Sequence, residues 1–245
     1  MNKLLKNLKN GFTLAEVLIT LVIIGVIAAM TIPTTIAKYQ KEETVSRLKK
    51  VYATLLTAYN TAVFEHGDIK NWSFGQPNNI ANSVSKYILP YLQVAKFCGT
   101  NNRDCTSVDR VTLIGTESVC IKVYSGGFRP FASFQLPDGT ILWGYNDDDN
   151  YLILAADING DKGPNKVGRD TFWFVYDKRD NPSDRKFHRA GRAGFYMWGD
   201  NNPREYLKGT GADNCNKNAS SIVVGAHCGA LIKLDGWQIK DDYPW

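Results

Sequence analysis

Three groups of residues in this chain of 245 have types and spacings that could do chemistry. The first is a loop, Asp157-Ile158-Asn159-Gly160-Asp161-Lys162-Gly163-Pro164-Asn165. Side-chain oxygens at alternate positions of a glycine-bearing loop can converge on one Ca²⁺, as in an EF-hand, and Asp157, Asn159, Asp161 and Asn165 fill positions one, three, five and nine. Position twelve, where a bidentate acid would close the site, is Gly168, and Asp170 follows two residues later. Two readings stand: Ca²⁺ held by Asp157, Asn159, Asp161, Asn165 and Asp170, or an Asx-rich turn without an ion.

The second group is a single carboxylate in an unusual place. From Phe12 to Ile32 the only ionisable side chain is Glu16. A carboxylate inside an apolar helix in lipid costs on the order of a few kcal/mol, so such residues usually have a partner. The third group is basic: Lys178, Arg179, Arg185, Lys186, His188, Arg189 and Arg192, with Phe187, Phe195, Tyr196 and Trp198 nearby. Such a stretch could bind nucleic acid, but Asp177, Asp180 and Asp184 interrupt it, and it reads instead as a solvated loop or a subunit contact. The net charge of +5 points the same way: without Lys3, Lys6 and Lys9, 26 basic residues stand against 24 acidic ones. A nucleic-acid partner is not expected. No G-x-S-x-G, H-E-x-x-H, P-loop or dinucleotide fingerprint occurs, so the sequence offers no positive sign of an enzyme. Zinc is not expected either, because there is no C-x-x-C and His66, His188 and His227 are scattered.

The elements that carry these groups begin with the apolar run. It continues to Ile32 without a small-residue cleavage site of the secretory type. About 20 such residues suffice to cross a bilayer core of ~30 Å as a helix. The basic residues before it predict a cytoplasmic amino end, with the rest of the chain outside. From Thr34 to about Glu65 the pattern is amphipathic, with Val45, Leu48, Tyr52, Leu55, Tyr59 and Ala62 recurring at steps of three and four. Gly67 suits the cap that ends this helix. Residues 67–82 read as a loop, and Val84–Val94 as a short helix or turn. Beyond Cys105 the period changes to two. Strands are expected at Val119–Tyr124, Phe131–Leu136, Thr140–Tyr145, Tyr151–Ala156 and Thr171–Tyr176, with Pro137-Asp138-Gly139 as a hairpin turn. The expectation is an α+β fold in which a long amino-terminal helix, part membrane-spanning and part amphipathic, packs on an antiparallel sheet.

At Gly11-Phe12-Thr13-Leu14-Ala15-Glu16-Val17-Leu18-Ile19 the sequence resembles the type IV pilin and type II secretion pseudopilin family. The resemblance covers about Lys3 to Pro33. It implies that a prepilin peptidase cuts on the cytoplasmic side between Gly11 and Phe12 and that the new amino group of Phe12 is methylated. Glu16 would then be the fifth mature residue, where the family carries a Glu that pairs with the amino terminus of a neighbouring subunit. Pro33 falls where pilins commonly carry a helix-kinking proline. The implied division is a leader at 1–11, a transmembrane and polymerisation helix at 12–33, its amphipathic continuation at 34–66 and a periplasmic or extracellular body at 67–245. The implied partners are other pilins or pseudopilins in a filament, the peptidase, the inner-membrane assembly machinery and, before assembly, membrane lipid. Resemblance to major pseudopilins, which often carry calcium in carboxy-terminal loops, favours the ion in the Asp157 loop. Cys215 and Cys228 likewise resemble the disulfide-bounded loop of many pilins.

Of the other three cysteines, Cys98 and Cys105 would close a smaller loop and Cys120 is the expected buried free thiol, although Cys98 or Cys105 paired with Cys120 stays open. Two rivals to a filament subunit remain: a membrane-tethered calcium- or carbohydrate-binding module using a pilin-like anchor, and an exported enzyme with its site among the strands.

Overall fold

In the computed structural model the described residues are 11–75, 80–100, 104–117, 131–146, 148–180, 193–220 and 223–245. The chain divides between Glu42 and Glu43 into two units. Helix α1, Leu14–His66, continues through Pro33, with the hydroxyls of Thr31, Thr34 and Thr35 donating to the carbonyls of Ile27 and Thr31 around it. In the first unit the apolar side chains of α1 are exposed on every face, from Leu14 at 77 % to Met30 at 71 %. This part is long and apolar enough to cross a membrane.

In the second unit α1 has one buried stripe, Leu48, Val51, Leu55, Ala58 and Ala62, flanked by the partly buried Val45, Tyr52 and Tyr59. The amphipathic spacing read from the sequence is thus the packing face. Its partner is a six-stranded antiparallel sheet in simple sequence order: β1 Lys96–Thr100, β2 Ala132–Gln135, β3 Ile141–Tyr145, β4 Tyr151–Asp157, β5 Thr171–Asp177 and β6 Gly194–Met197. Short helices α2 (Ile80–Tyr87), α3 (Arg204–Leu207) and α4 (Cys228–Leu234) complete the body. The fold is α+β, as expected.

Both faces of the sheet are buried. Leu152, Leu154, Ala156, Phe172, Phe174 and Tyr176 join the cluster under α1, whereas Ile153, Ala155, Trp173, Val175 and Trp143 form a second cluster on the opposite face. That is why β4 and β5 read as almost continuous apolar runs, a pattern typical of strands covered on both sides. The turn at Pro137-Asp138-Gly139 joins β2 to β3, with the Leu136 N–H donating to the Thr140 carbonyl (2.9 Å) and Gly139 at φ +88°.

Two strands were not anticipated. β1 is irregular, with its register shifting between Phe97 and Gly99, and β6 is only four residues long; neither offers enough alternation to be read. The short helix or turn expected at Val84–Val94 is the end of α2, which begins earlier at Ile80, followed by a 3-10 turn at Leu89–Tyr91. The strand expected at Val119–Tyr124, with Cys120, lies outside the described residues.

Candidate processing, assembly and loop sites

The amino-terminal site is built at the start of α1. Glu16 Oε2 accepts from the backbone N–H and the hydroxyl of Thr13, both at 2.8 Å, and the Glu16 N–H donates back to Thr13 Oγ1 at 3.2 Å. This is a reciprocal capping box, which satisfies N–H groups that the first helical turn leaves without partners. The signal T-x-x-E was present in the sequence, and reading Glu16 as a membrane carboxylate with an assembly role missed it. Among the described residues no cation pairs with Glu16. Phe12 is 89 % exposed. A Cβ added at Gly11 would meet nothing within 4 Å, so no packing among the described residues requires a glycine there. Residues 1–10 of the leader lie outside the described residues.

The Asp157 loop connects β4 to β5, and the structure brings its expected residues into one network with an unforeseen member. Arg110, fully buried, donates from Nε to Asp157 Oδ2 at 2.9 Å and from Nη2 to Asp161 Oδ1 at 3.3 Å. Its Nη1 reaches the Val108 carbonyl at 2.7 Å and Thr106 Oγ1 at 2.5 Å, and the guanidinium lies 5.3 Å from the centre of the Trp143 ring. Asp157 Oδ1 accepts from the Asn159 N–H at 3.3 Å. Asp161 also accepts from the Thr106 hydroxyl and from the N–H and hydroxyl of Ser107, the last two at 2.7 Å. Asp170 accepts from the N–H groups of Asn165 (2.7 Å) and Lys166 (2.6 Å). Burial, reinforced by the like charge of Asp170, pushes Asp157 up to about 7 against the pull of Arg110. Burial works in the same direction on Asp161, but the bonds from Thr106 and Ser107 prevail and hold it below the usual carboxylate range.

Gly168 has a physical reason to be glycine. Its φ is +79°, and a Cβ there would lie 2.7 Å from Cys228 Sγ. Position twelve of the loop is therefore closed to any side chain, because the disulfide Cys215–Cys228 passes beside it. The second disulfide joins Cys98 to Cys105, and the Cα separations are 4.8 and 5.9 Å respectively.

The basic stretch is represented among the described residues by Lys178 and Arg179. Lys178 pairs with Asp149 and donates to the Trp72 carbonyl at 3.1 Å, while Arg179 pairs with Asp177 at 2.9 Å. Arg185, Lys186, His188, Arg189 and Arg192 lie outside the described residues. Near the carboxy terminus, Asp213, only 5 % exposed, lines a cavity of about 350 Å³ with His227 and Tyr206. Its Oδ2 accepts from Trp198 Nε1 at 3.3 Å and stands 3.9 Å from His227 Nε2. Burial pushes Asp213 up to about 6.

A long amino-terminal helix with an exposed apolar half, on an antiparallel sheet, defines a pilin-like protein, and residues 6–32 match the prokaryotic N-terminal methylation motif. That match supports membership of the type IV pilin and pseudopilin group. Residues 34–245 match a family of unknown function (DUF6613), and the chain belongs to that family. No curated protein and no solved structure matches it.

Proposed function

We propose that this chain is a structural subunit of a type IV pilus or type II secretion pseudopilus, cut between Gly11 and Phe12 by a prepilin peptidase and methylated at Phe12. The observation that carries this reading is the first half of α1, whose apolar side chains are exposed among the described residues while Glu16 stands among them. Lipid covers that surface before assembly, and the helices of neighbouring subunits cover it afterwards. In this reading Glu16 is a register pin. The amino group freed at Phe12 of one subunit neutralises the carboxylate of another, so two charges that are each costly in an apolar bundle satisfy one another. The body is carried into the periplasm and then along the filament, and the chain acts as a building block, not a catalyst.

Intact-mass measurement tests the processing step. The mature protein is expected to lack Met1–Gly11 and to carry one added methyl group, and Gly11→Val is expected to accumulate full-length precursor in the inner membrane. Because no contact among the described residues requires glycine at this position, impaired maturation of Gly11→Val would report on the peptidase and not on the folding of the body. Normal maturation of the variant would overturn the assigned cut.

A further inference from the structure

The loop from Asp157 to Asp170 has the composition of a calcium site, but its carboxylates are already engaged within the chain. All six carboxylate oxygens of Asp157, Asp161 and Asp170 already accept hydrogen bonds from this chain. The closing position is Gly168, where Cys228 leaves no room for a side chain. The remaining ligand-type side-chain oxygens, Asn159 Oδ1 and Asn165 Oδ1, are buried without a hydrogen-bond partner. Ca²⁺ takes six to eight oxygens, so an ion here would have to share these hydrogen-bonded carboxylates and compete with the Arg110 guanidinium for Asp157 Oδ2 and Asp161 Oδ1.

We propose that the guanidinium of Arg110 is the resident cation of this loop, held between Asp157 and Asp161 where a calcium loop would hold its ion. Arg110 belongs to a segment that precedes the loop by about 50 residues and is tied to it by the backbone. The Val111 N–H donates to the Asn165 carbonyl, and the Val167 N–H to the Val111 carbonyl, both at 2.9 Å. A guanidinium stays charged at every accessible pH, and its planar fork reaches two carboxylates at once. It is covalently part of the chain, so no chelator removes it. A divalent ion entering beside it would meet a buried like charge in a poorly screened interior, and the attraction of the carboxylates would be largely spent already. The loop therefore locks β4 to β5 independently of calcium.

The test uses the full chain in mild detergent, melted in excess calcium and in excess chelator, with Tb³⁺ as a luminescent probe excited through the tryptophans. The wild type is expected to melt at the same temperature in both conditions and to give no calcium-competed Tb³⁺ signal. Arg110→Ala leaves the buried Asp157 and the partly buried Asp161 without their counter-charge and is expected to lower the melting temperature by roughly 10 °C. Arg110→Lys keeps the charge but not the fork and is expected to lower it by less. A wild-type melting temperature several degrees higher in calcium, or a Tb³⁺ signal that Asp157→Asn abolishes, would overturn the proposal. So would an Arg110→Ala variant that melts with the wild type. If Arg110→Ala does not fold, the wild-type measurements and Arg110→Lys still decide.

Discussion

The two halves of α1 share a backbone geometry and differ in where their apolar side chains go. Leu48, Val51 and Leu55 are at most 2 % exposed, while Leu18 is 54 % and Ile24 61 % exposed in the chain by itself. The second half is explained by the fold: each buried leucine removes apolar surface from water and fits a close-packed cluster. The first half is not. Its exposed apolar composition fits an environment outside its own domain, and in the proposed assembly Glu16 meets a counter-charge there. A helix can thus record two selections in succession, one for its own domain and one for what lies beyond it.

The comparison breaks most visibly through leucine truncation. Leu55→Ala is expected to cost about 2–5 kcal/mol by combining lost transfer energy with a cavity, a fall of roughly 5–15 °C in the melting of the full chain in detergent. Leu18→Ala, the same chemical change, is expected to leave that transition where it is. Equal losses from the two variants would mean that the first half packs on its own chain.

The body should also feel pH through a group that the apolar half lacks. Asp213 has its folded pKa raised by burial to about 6 from an ordinary 3.8, so the folded state binds its proton more tightly than the unfolded state. Its contribution is most favourable below about pH 4, declines as pH rises through about 6 and is constant above that, a difference of at most about 3 kcal/mol. Asp213→Asn retains an acceptor for Trp198, and it is expected to melt higher than wild type at pH 7 while differing little at pH 4. A gap between the two proteins that does not change with pH would remove Asp213 from the account.

The smallest effect on melting, and the largest on assembly, is expected at Glu16. Glu16→Ala should leave the transition of the body unchanged while filaments, counted by electron microscopy, become rare or disappear. Glu16→Gln sharpens the point, because glutamine can keep the capping box with Thr13 but carries no charge. Loss of filaments in both variants assigns the role to charge. Normal filaments in Glu16→Gln would assign it to the cap.

The parts of this fold legible in the sequence were those governed by local periodicity: α1 with its stripe, four strands from β2 to β5, and the turn at Asp138. The irregular β1 and the four-residue β6 are held in the sheet by neighbours distant in sequence, so their own residues carry little pattern. The Asp157 loop shows the same limit at a site. Its oxygens were visible from spacing alone, but their occupant was not, because Arg110 is 47 residues from Asp157 and sits in a segment with no marked motif. The Thr13 cap, by contrast, was local and could have been read.

The strictly sequential order of the sheet bears on how the body can be made. Every strand from β2 to β6 pairs with the one before it in the chain, so the ladder can lengthen in chain order, with connections that run from five residues between β2 and β3 to 31 between β1 and β2. The buried stripe of α1 precedes all of them and offers a surface on which the growing sheet can condense. Helix α4 arrives last and brings Cys228 to Cys215 and to the space that Gly168 leaves open. Oxidation at that point acts as a latch on a domain whose sheet no longer waits for any further strand.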